Sequence, residues 1–548
     1  MTEPSASGDP QGPSKNALKK AAKEKEKAEK KAAAKARELA ERQKKEADDA
    51  NDVSADCYGE LPMVGSPEFK PSNLPRVNLA DIVELADKEI VFRCWVENAR
   101  VQSAKLAFLN LRQGLNTIQA VVAASEKLSK QMVKFAGNIS TESTLVVHGL
   151  VKKTQEAVKS ATIKDYEIHI TKLFIEAKAE VPLPMQIEDA ERPLPSEGLG
   201  NEDEKAAGDE GRPLVGLNTR LNNRTLDLRA KINHCIFVIK SGVCELFQEF
   251  LRGKGFVMIQ TPKLQGAASE GGSNVFEVKY FDRPAFLAQS PQWYKQMLVA
   301  SRFPRVMEIG PVFRAENSNT ARHLTEFTGL DLEMEFQENY HEVMGLLEDL
   351  MLFIFKELNV RYKKETELVR SAYHVEDFKL PESGKVPRIP FVEGIKMLRE
   401  AGEELGDYDD LTTPQEKHLG RLVLEKYGSD FYVLDQFPLA IRPFYTMPSP
   451  ANPLLSNSYD MFMRGQEILS GAQRIHDAEL LRKAIRNYDP PLDPDSPAFK
   501  DYVDGFRFGC PPHGGGGFGL ERIVQFWLGL PNIRMCSLFP RDPQRIMP

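Results

Sequence analysis

The sequence has few cysteines, and none is spaced for a shared metal ion or a disulfide framework. The six lie far apart in 548 residues: Cys57, Cys94, Cys235, Cys244, Cys510 and Cys536. The absence of a CxxC pair or a Cys/His cluster argues against a structural zinc site and against a small disulfide-stapled fold. We expect reduced thiols in an intracellular protein.

No hydrophobic run is long enough to cross a bilayer. The longest candidate, residues 346–358 (LLEDLMLFIFKEL), has helical spacing and predicts a core helix. The N-terminal stretch MTEPSASGDPQGPS has neither the apolar core of a signal peptide nor an Arg-rich amphipathic start. We therefore expect a cytoplasmic protein that does not contact a membrane.

Two common nucleotide-binding loops are also missing. There is no GxxxxGK[ST] stretch, and no dinucleotide-type glycine fingerprint follows a predicted strand. P-loop and Rossmann nucleotide sites are therefore disfavoured.

Charge is distributed unevenly along the chain. The net charge is −7, yet residues 15–46 (the basic arm) carry 13 Lys and Arg against 6 acidic residues. The arm is rich in Ala, Lys and Glu, so its helix propensity is high, but it has no apolar face to bury. It is either a solvated tail or a helix that binds an anionic partner such as nucleic acid.

The remaining chain divides by its hydrophobic pattern. Five short strand-like runs with one helical insert fit a small closed barrel of the OB type, and we assign residues 71–180 to it. Residues 1–70 are expected to be a Lys-rich extension, partly helical or disordered. Residues 181–215 are rich in proline and acids and read as a linker. Residues 216–548 predict one large α+β domain built on an antiparallel sheet flanked by helices.

Residues 313–336 (FRAENSNTARHLTEFTGLDLEMEF) predict two strands around a polar loop. The second strand alternates, with apolar residues on one face and Asp331, Glu333 and Glu335 on the other. The upstream run is expected to carry Arg314 and Glu316 on one face. Such a floor suits a site that holds a polyanion through arginines and an ammonium or a metal through carboxylates.

A second notable stretch is residues 510–530, CPPHGGGGFGLERIVQFWLGL. Its four consecutive glycines let another group approach the backbone closely, and helical spacing resumes at Leu520. Arg522 falls in the first turn of this helix, where an arginine makes sense if it contacts an anion. The alternative is a glycine-rich turn followed by a surface arginine.

Together these stretches resemble the three motifs of class II aminoacyl-tRNA synthetases, in the subgroup with an N-terminal OB anticodon-binding domain. Residues 242–264 (GVCELFQEFLRGKGFVMIQTPKL) look like the first motif, residues 313–327 the second and residues 514–522 the third, with an insertion near residues 337–455 between the second and the third. The resemblance covers residues 75–548 and is closest to the aspartate-specific members of the eukaryotic cytosol. It implies ATP, L-aspartate and tRNA(Asp) as substrates and a homodimer with Pro262 in its interface.

The resemblance implies an ATP site around Arg314, which would hold the α-phosphate. Arg322 and His323 would attend the distal phosphates, while Phe327 and Arg522 would cover the two faces of adenine. The other implied members of this site are Ala315, Glu316, Leu324, Gly519, Leu520 and Glu521. Magnesium would be held by Glu467 and Ser470, with Asp460 as a further candidate. The groups expected to act in catalysis are Arg314, Arg522 and Glu467.

The resemblance further implies a site for a substrate that carries a side-chain carboxylate. Lys295 and Arg474 would pair with that carboxylate, and Ser269 and Glu270 would belong to a loop that closes over the amino acid. Arg314, Gln292, Asp331 and Ser470 would complete the aspartate site.

In the barrel, Phe108 would stack on an anticodon base, and Arg100, Gln119 and Glu167 would read neighbouring bases. The basic arm would add salt-sensitive affinity for tRNA. The expected activity is aspartate–tRNA ligation. The alternatives are an asparagine-synthetase-like enzyme without a tRNA substrate, a non-discriminating enzyme that also charges tRNA(Asn), and a catalytically silent RNA-binding paralogue.

Overall fold

The computed structural model describes residues 52–71, 74–194, 214–267 and 275–547. The predictions for the basic arm and for Ser269 and Glu270 lie outside these residues. The chain forms two compact units, one ending at Leu183 and the other beginning at Pro184. No helix in the described ranges has the length and apolar character needed to span a membrane.

The N-terminal unit is a closed barrel, as predicted. Its sheet runs in the order β1-β6-β4-β3-β2-β5, and an additional β5–β6 pairing closes it. The strands are β1 (Tyr58–Glu60), β2 (Glu89–Ser103), β3 (Leu106–Gln113), β4 (Asn116–Ala123), β5 (Thr144–Lys153) and β6 (Tyr166–Ala177). Helix α1 (Lys130–Gly137) lies in the predicted insert, and two 3-10 helices span Ala55–Cys57 and Leu79–Leu85.

Period-2 alternation explains why these runs form a barrel. In β2, Ile90, Phe92, Cys94 and Val96 are buried in the barrel core. Of the residues between them, Arg93 is exposed and Trp95 is half-buried, because successive side chains of a strand alternate between its faces. Val91, on the same face, is covered by other parts of the chain. Helix α1 begins where the Ser129 hydroxyl accepts a hydrogen bond from the Met132 N–H, an N-cap interaction.

The C-terminal unit is built on an eight-stranded sheet in the order β13-β14-β15-β16-β17-β12-β11-β7. Only its two ends are parallel, at β13–β14 and β7–β11. Its strands are β7 (Val257–Met258), β11 (Arg305–Phe313), β12 (Glu326–Glu335), β13 (Arg388–Pro390), β14 (Phe431–Asp435), β15 (Ser458–Met463), β16 (Gln466–Gln473) and β17 (His513–Gly519). A smaller sheet contains β8 (Leu264–Gln265), β9 (Glu277–Tyr280) and β10 (Arg283–Leu287).

The helices of this unit pack against the sheet and one another. They are α2 (Ile187–Ala190), α3 (Leu217–Asn222), α4 (Arg224–Asp227), α5 (Lys231–Gly253), α6 (Gln292–Ala300), α7 (His341–Arg361), α8 (Lys363–Tyr373), α9 (Phe391–Glu400), α10 (Thr413–Tyr427), α11 (Ala478–Arg486), α12 (Lys500–Arg507) and α13 (Leu520–Leu528). Two 3-10 helices span Leu439–Ile441 and Ile533–Cys536. Helix α7 contains the apolar run 346–358, which is buried as predicted.

The four consecutive glycines lie in strand β17, not in a turn, so the interpretation as a glycine-rich turn is wrong. They pair with β12 on one side and β16 on the other. A Cβ on Gly515 would stand 2.1 Å from the Leu332 carbonyl oxygen, and one on Gly517 would stand 2.8 Å from the Asp331 carboxylate. Glycine is therefore required for the close approach of these strands and of an acidic side chain.

The predicted alternation of β12 is confirmed on its apolar face, where Leu330, Leu332 and Met334 are buried. The opposite face differs from a solvated surface, because Asp331 and Glu333 are buried as well. Strand β11 ends at Phe313, so Arg314 and Glu316 lie beyond it and not on a strand face as expected. The Arg314 N–H still donates to the Thr325 carbonyl at 2.9 Å, which extends the pairing by one residue.

Candidate active site

A cavity of about 370 Å³ lies in the C-terminal unit, over strands β12, β16 and β17. Many residues singled out in the sequence line it: Gln292, Arg314, Glu316, Arg322, His323, Leu324, Phe327, Asp331, Glu467, Ser470, Arg474, Gly519, Glu521 and Arg522. Four others are outside its lining: Lys295, Asp460, Ala315 and Leu520. The fold therefore brings together side chains separated by more than 200 residues.

One end of the cavity is floored by a buried ion pair. The Lys295 ammonium donates to Asp331 Oδ1 at 2.8 Å and lies 3.6 Å from Glu333 Oε2. Lys295 is fully buried and does not line the cavity, whereas its partner Asp331 does. Burial raises the pKa of Asp331, and the charge of Lys295 opposes this rise. The positive charge of Lys295 therefore lies next to a carboxylate that itself faces the cavity.

Arg474 forms the second cation of this floor. Its Nε donates to Glu333 Oε1 at 2.8 Å, and its Nη2 donates to Gln292 Oε1 at 3.1 Å. Burial would raise the pKa of Glu333, but Arg474 and then Lys295 bring it below its usual value. Two cations and two carboxylates share this buried layer, so their charges compensate one another, as buried ions require.

The other end of the cavity combines two arginines with an aromatic ring. The Arg314 guanidinium lies 5.5 Å from the centre of the Phe327 ring. Arg522, from the first turn of α13, donates to the Glu467 carbonyl at 3.0 Å and lies 3.8 Å from the Glu467 carboxylate. An aromatic ring and two guanidinium groups that line the same cavity suit a planar base attached to phosphates.

The loop between β11 and β12 places two further basic residues at this end. The His323 ring is hydrogen-bonded to the Thr320 hydroxyl at 2.6 Å. Burial, followed by the charge of Arg522, lowers the pKa of His323, so its neutral form is favoured. Arg322 Nη1 lies 3.4 Å from Glu416 Oε2, and Nη2 donates to the Thr413 hydroxyl.

Two of the predicted nucleotide-site residues serve the fold directly. Glu521 accepts from the Lys240 ammonium at 2.7 Å and from the Thr328 N–H at 3.0 Å. These bonds tie the start of α13 to α5 and β12 at the cavity wall. Leu520 is buried at the same helix start.

Two of the three candidate metal ligands, Ser470 and Asp460, are linked by an arginine. Arg442 donates to the Ser470 hydroxyl at 2.9 Å and to Asp460 Oδ2 at 2.8 Å. Burial raises the pKa of Asp460 to about 6, with Arg442 opposing and Glu467 adding to the rise. Within the described chain Asp460 Oδ1 is buried without a hydrogen-bond partner. This unsatisfied oxygen and the nearby Glu467 carboxylate fit a hard divalent cation, which needs only one or two protein carboxylates when it also binds phosphates.

Sequence reasoning missed three charged residues around the cavity. Glu333 was noted only for its place in the alternation, although it contacts both buried cations. Arg442 and Glu416 belong to the region of about 337–455, which carries no periodic signal for a site. Within the described ranges no group of three His, Cys, Asp or Glu side chains is arranged to hold a metal ion, so no metal-ligand cluster marks these residues either.

On the barrel, the four residues predicted to read the anticodon lie on the outer face of adjacent strands. Arg100 and Phe108 are paired across β2 and β3, with the guanidinium 5.8 Å from the ring centre. Gln119 and Glu167 are paired across β4 and β6, and Gln119 Nε2 donates to Glu167 at 2.9 Å. The fold thus presents an aromatic platform and hydrogen-bonding groups on one surface.

Comparison with known proteins agrees with this architecture. Residues 216–543 match the family model "tRNA synthetases class II (D, K and N)", and residues 90–176 match "OB-fold nucleic acid binding domain". Fold and site therefore define a class II tRNA synthetase.

Close relatives narrow the assignment within this class. The chain is 50% identical over 513 residues to the cytoplasmic aspartate–tRNA ligase of Homo sapiens, covering 93% of this chain and 99% of the relative. It is 47% identical to the corresponding protein of Caenorhabditis elegans, covering 92% and 93%. The chain belongs to the aspartate–tRNA ligase family.

Solved structures give the same answer. The aspartyl tRNA synthetase of Entamoeba histolytica is 46% identical, with a TM-score of 0.79 over 90% of this chain and 96% of that one. An asparaginyl-tRNA synthetase of Pyrococcus horikoshii, complexed with asparaginyl-adenylate, is 29% identical, with a TM-score of 0.72 over 86% and 100%. The fold is thus shared with enzymes named for two different amino acids.

Proposed function

We propose that this protein activates L-aspartate with ATP and transfers the aspartyl group to the 3′ end of tRNA(Asp). One observation carries the proposal: a single cavity has buried cations beneath one end, and two arginines and an aromatic ring line the other. The first end suits a substrate with a side-chain carboxylate, and the second suits ATP.

In the first step an oxygen of the aspartate α-carboxylate attacks the α-phosphorus of ATP. A new oxygen–phosphorus bond forms, the bond to pyrophosphate breaks, and aspartyl-adenylate remains in the site. Arg314 would hold the α-phosphate, and Arg322 with His323 would hold the leaving phosphates. Catalysis by this chain is then positioning and stabilisation of phosphate charge, without a protein nucleophile.

In the second step the 3′-terminal adenosine hydroxyl of the tRNA attacks the activated carbonyl. The aspartyl ester forms, AMP leaves with the electrons of the broken acyl–phosphate bond, and the hydroxyl proton passes to a phosphate oxygen of AMP. In the first step, the lowered pKa of His323 favours neutral imidazole, which would act as a hydrogen-bonding group on the leaving pyrophosphate.

Glu467 and Ser470, with Asp460 as a further ligand, would hold magnesium in this site. When bound, the ion would neutralise phosphate charge and fix the orientation of the triphosphate. Arg442 would orient two of the three ligands, because it already donates to Ser470 and Asp460.

Discrimination against asparagine follows from charge. Lys295 and Arg474 pair with Asp331 and Glu333, and the aspartate side chain would add a carboxylate that these two cations attract. The neutral amide of asparagine would lack that attraction. Ser269 and Glu270 belong to this proposal as members of a closing loop, and Gln292 and Asp331 as contacts of the amino acid.

The tRNA would be bound by the barrel and the basic arm. Phe108 would stack on an anticodon base, with Arg100, Gln119 and Glu167 beside it, while the arm would contact phosphates. We also propose a cytoplasmic homodimer whose interface includes Pro262, and the domain limits 1–70, 71–180, 181–215 and 216–548.

The deciding experiment is ATP–pyrophosphate exchange with magnesium, comparing aspartate with asparagine, lysine and glutamate. We expect exchange with aspartate alone. Exchange with asparagine or lysine would contradict the charge argument, and no exchange by folded protein would favour a silent RNA-binding paralogue. Charging assays with separate tRNA(Asp) and tRNA(Asn) transcripts then test whether the enzyme is discriminating.

A further inference from the structure

The loop that carries Arg322 and His323 is held by a distant part of the chain. We call residues 319–325 the phosphate loop and residues 532–545 the C-terminal segment. Arg534 donates from Nη1 to the Thr320 carbonyl at 2.9 Å and from Nη2 to Asn319 Oδ1 at 2.7 Å. One guanidinium therefore holds two consecutive residues of the loop.

The backbone of the same segment also holds the loop on both sides of residues 322–324. The Ile533 N–H donates to the Ala321 carbonyl at 2.9 Å, directly before Arg322. The Thr325 N–H donates to the Arg541 carbonyl at 2.9 Å, directly after Leu324. The residues left between these attachments, 322–324, all line the cavity.

Arg534 is itself fixed. Its Nε donates to Asp542 Oδ2 at 2.5 Å, and both side chains are buried. Burial would raise the pKa of Asp542, but the hydrogen bond from Arg534 lowers it, so the carboxylate stays charged. A planar arginine with all three nitrogens engaged is a rigid support that a lysine cannot reproduce.

We propose that Arg534, oriented by Asp542, is a positioning residue for ATP: it sets the phosphate loop so that Arg322 and His323 meet the distal phosphates. This inference rests on the proposed function for the identity of the nucleotide. A misplacement of phosphate-binding groups by about 1 Å can cost about 100-fold in rate. Loss of the support should therefore act on ATP specifically and not on adenosine, which has no phosphates.

The test compares Arg534→Lys, Asp542→Asn and Asn319→Ala in the full-length enzyme. Asn319 is exposed, so its variant removes one loop contact without opening the core. Arg545→Ala is the matched control, because Arg545 belongs to the same segment but donates to Asn222 at 2.8 Å, away from the loop. Calorimetry gives the affinities for ATP and adenosine, and exchange gives KM for ATP and for aspartate.

We expect Arg534→Lys to weaken ATP binding by about tenfold or more, with adenosine affinity and KM for aspartate within about twofold of wild type. Asp542→Asn and Asn319→Ala should show smaller losses of the same pattern, and Arg545→Ala none. Unchanged ATP affinity in the folded variants, or equal losses for ATP and adenosine, would overturn the proposal. If Arg534→Lys fails to fold, Asn319→Ala decides. If the wild-type protein binds ATP but does not activate aspartate, the proposed function is refuted while the role of Arg534 stays testable, because the comparison of ATP with adenosine needs no amino acid.

Discussion

Replacing Lys295 by methionine removes the cation that is most deeply buried beneath the cavity. Methionine keeps most of the side-chain volume, so the change is one of charge and hydrogen bonding. Asp331 loses a 2.8 Å contact, and Glu333 loses a neighbour at 3.6 Å while keeping Arg474. The perturbation therefore falls on Asp331 first.

Removing one partner of a buried ion pair costs about 3–5 kcal/mol. The cost should lie near the lower limit here, because the pKa of Asp331 is already raised by burial and the carboxyl can take up a proton. In the function proposed above the same lysine attracts the aspartate side chain. A loss of about 3–5 kcal/mol in transition-state binding corresponds to a fall of about 10²- to 10⁴-fold in kcat/KM for aspartate.

Two assays separate the structural and functional parts. Thermal unfolding of Lys295→Met should show a lower midpoint that Asp331→Asn, added as a second change, partly restores, because contacting residues do not act additively. Pyrophosphate exchange should show the loss in kcat/KM for aspartate with ATP affinity retained. A folded Lys295→Met enzyme within tenfold of wild type would refute the role of Lys295 in recognising the carboxylate.

Four further predictions concern other parts of the chain. Arg314→Ala should lower the rate of exchange by about 100-fold or more without changing the oligomeric state measured by sedimentation. A near-normal rate of exchange would contradict the role of Arg314 at the α-phosphate. Phe108→Ala should weaken tRNA binding by about 1–3 kcal/mol and leave exchange intact. Deletion of residues 1–46 should also weaken tRNA binding, most strongly at low salt, in the same assay. For each variant, a tRNA affinity equal to wild type would contradict the role given to the residues removed. Burial, and then the charge of Glu467, raises the pKa of Glu416 from 4.5 to about 7. An acid whose pKa is higher in the folded than in the unfolded state lowers the free energy of unfolding as pH rises from 4.5 to about 7. Glu416→Gln should therefore gain thermal stability relative to wild type at pH 8 and little at pH 4.5, and an equal difference at both would refute this.

Several features of the fold could be predicted from local sequence alone. Period-2 alternation defined the barrel strands and the apolar face of β12, and helical spacing predicted α7 and the start of α13. These predictions succeeded because the repeat of a strand or helix determines which side chains share a face, whatever the rest of the chain does. Motif resemblance likewise identified the family.

The sequence by itself did not show what covers each face. The acidic face of β12 was predicted to floor a site, but the pattern did not show that Lys295, from α6, and Arg474, directly after β16, neutralise Asp331 and Glu333. Likewise, only the structure shows that the glycine run forms a strand whose neighbours, β12 and β16, lie too close for any side chain at these positions.

Tertiary structure alone also revealed Arg442, Glu416 and Arg534 as neighbours of the site. Arg534 contacts a loop more than 200 residues earlier in the chain, and Glu416 contacts Arg322 from another helix. Period and propensity describe residues a few positions apart, whereas an ion pair depends on three-dimensional distance. The sequence therefore determined the elements and the family, and tertiary packing decided which charges meet.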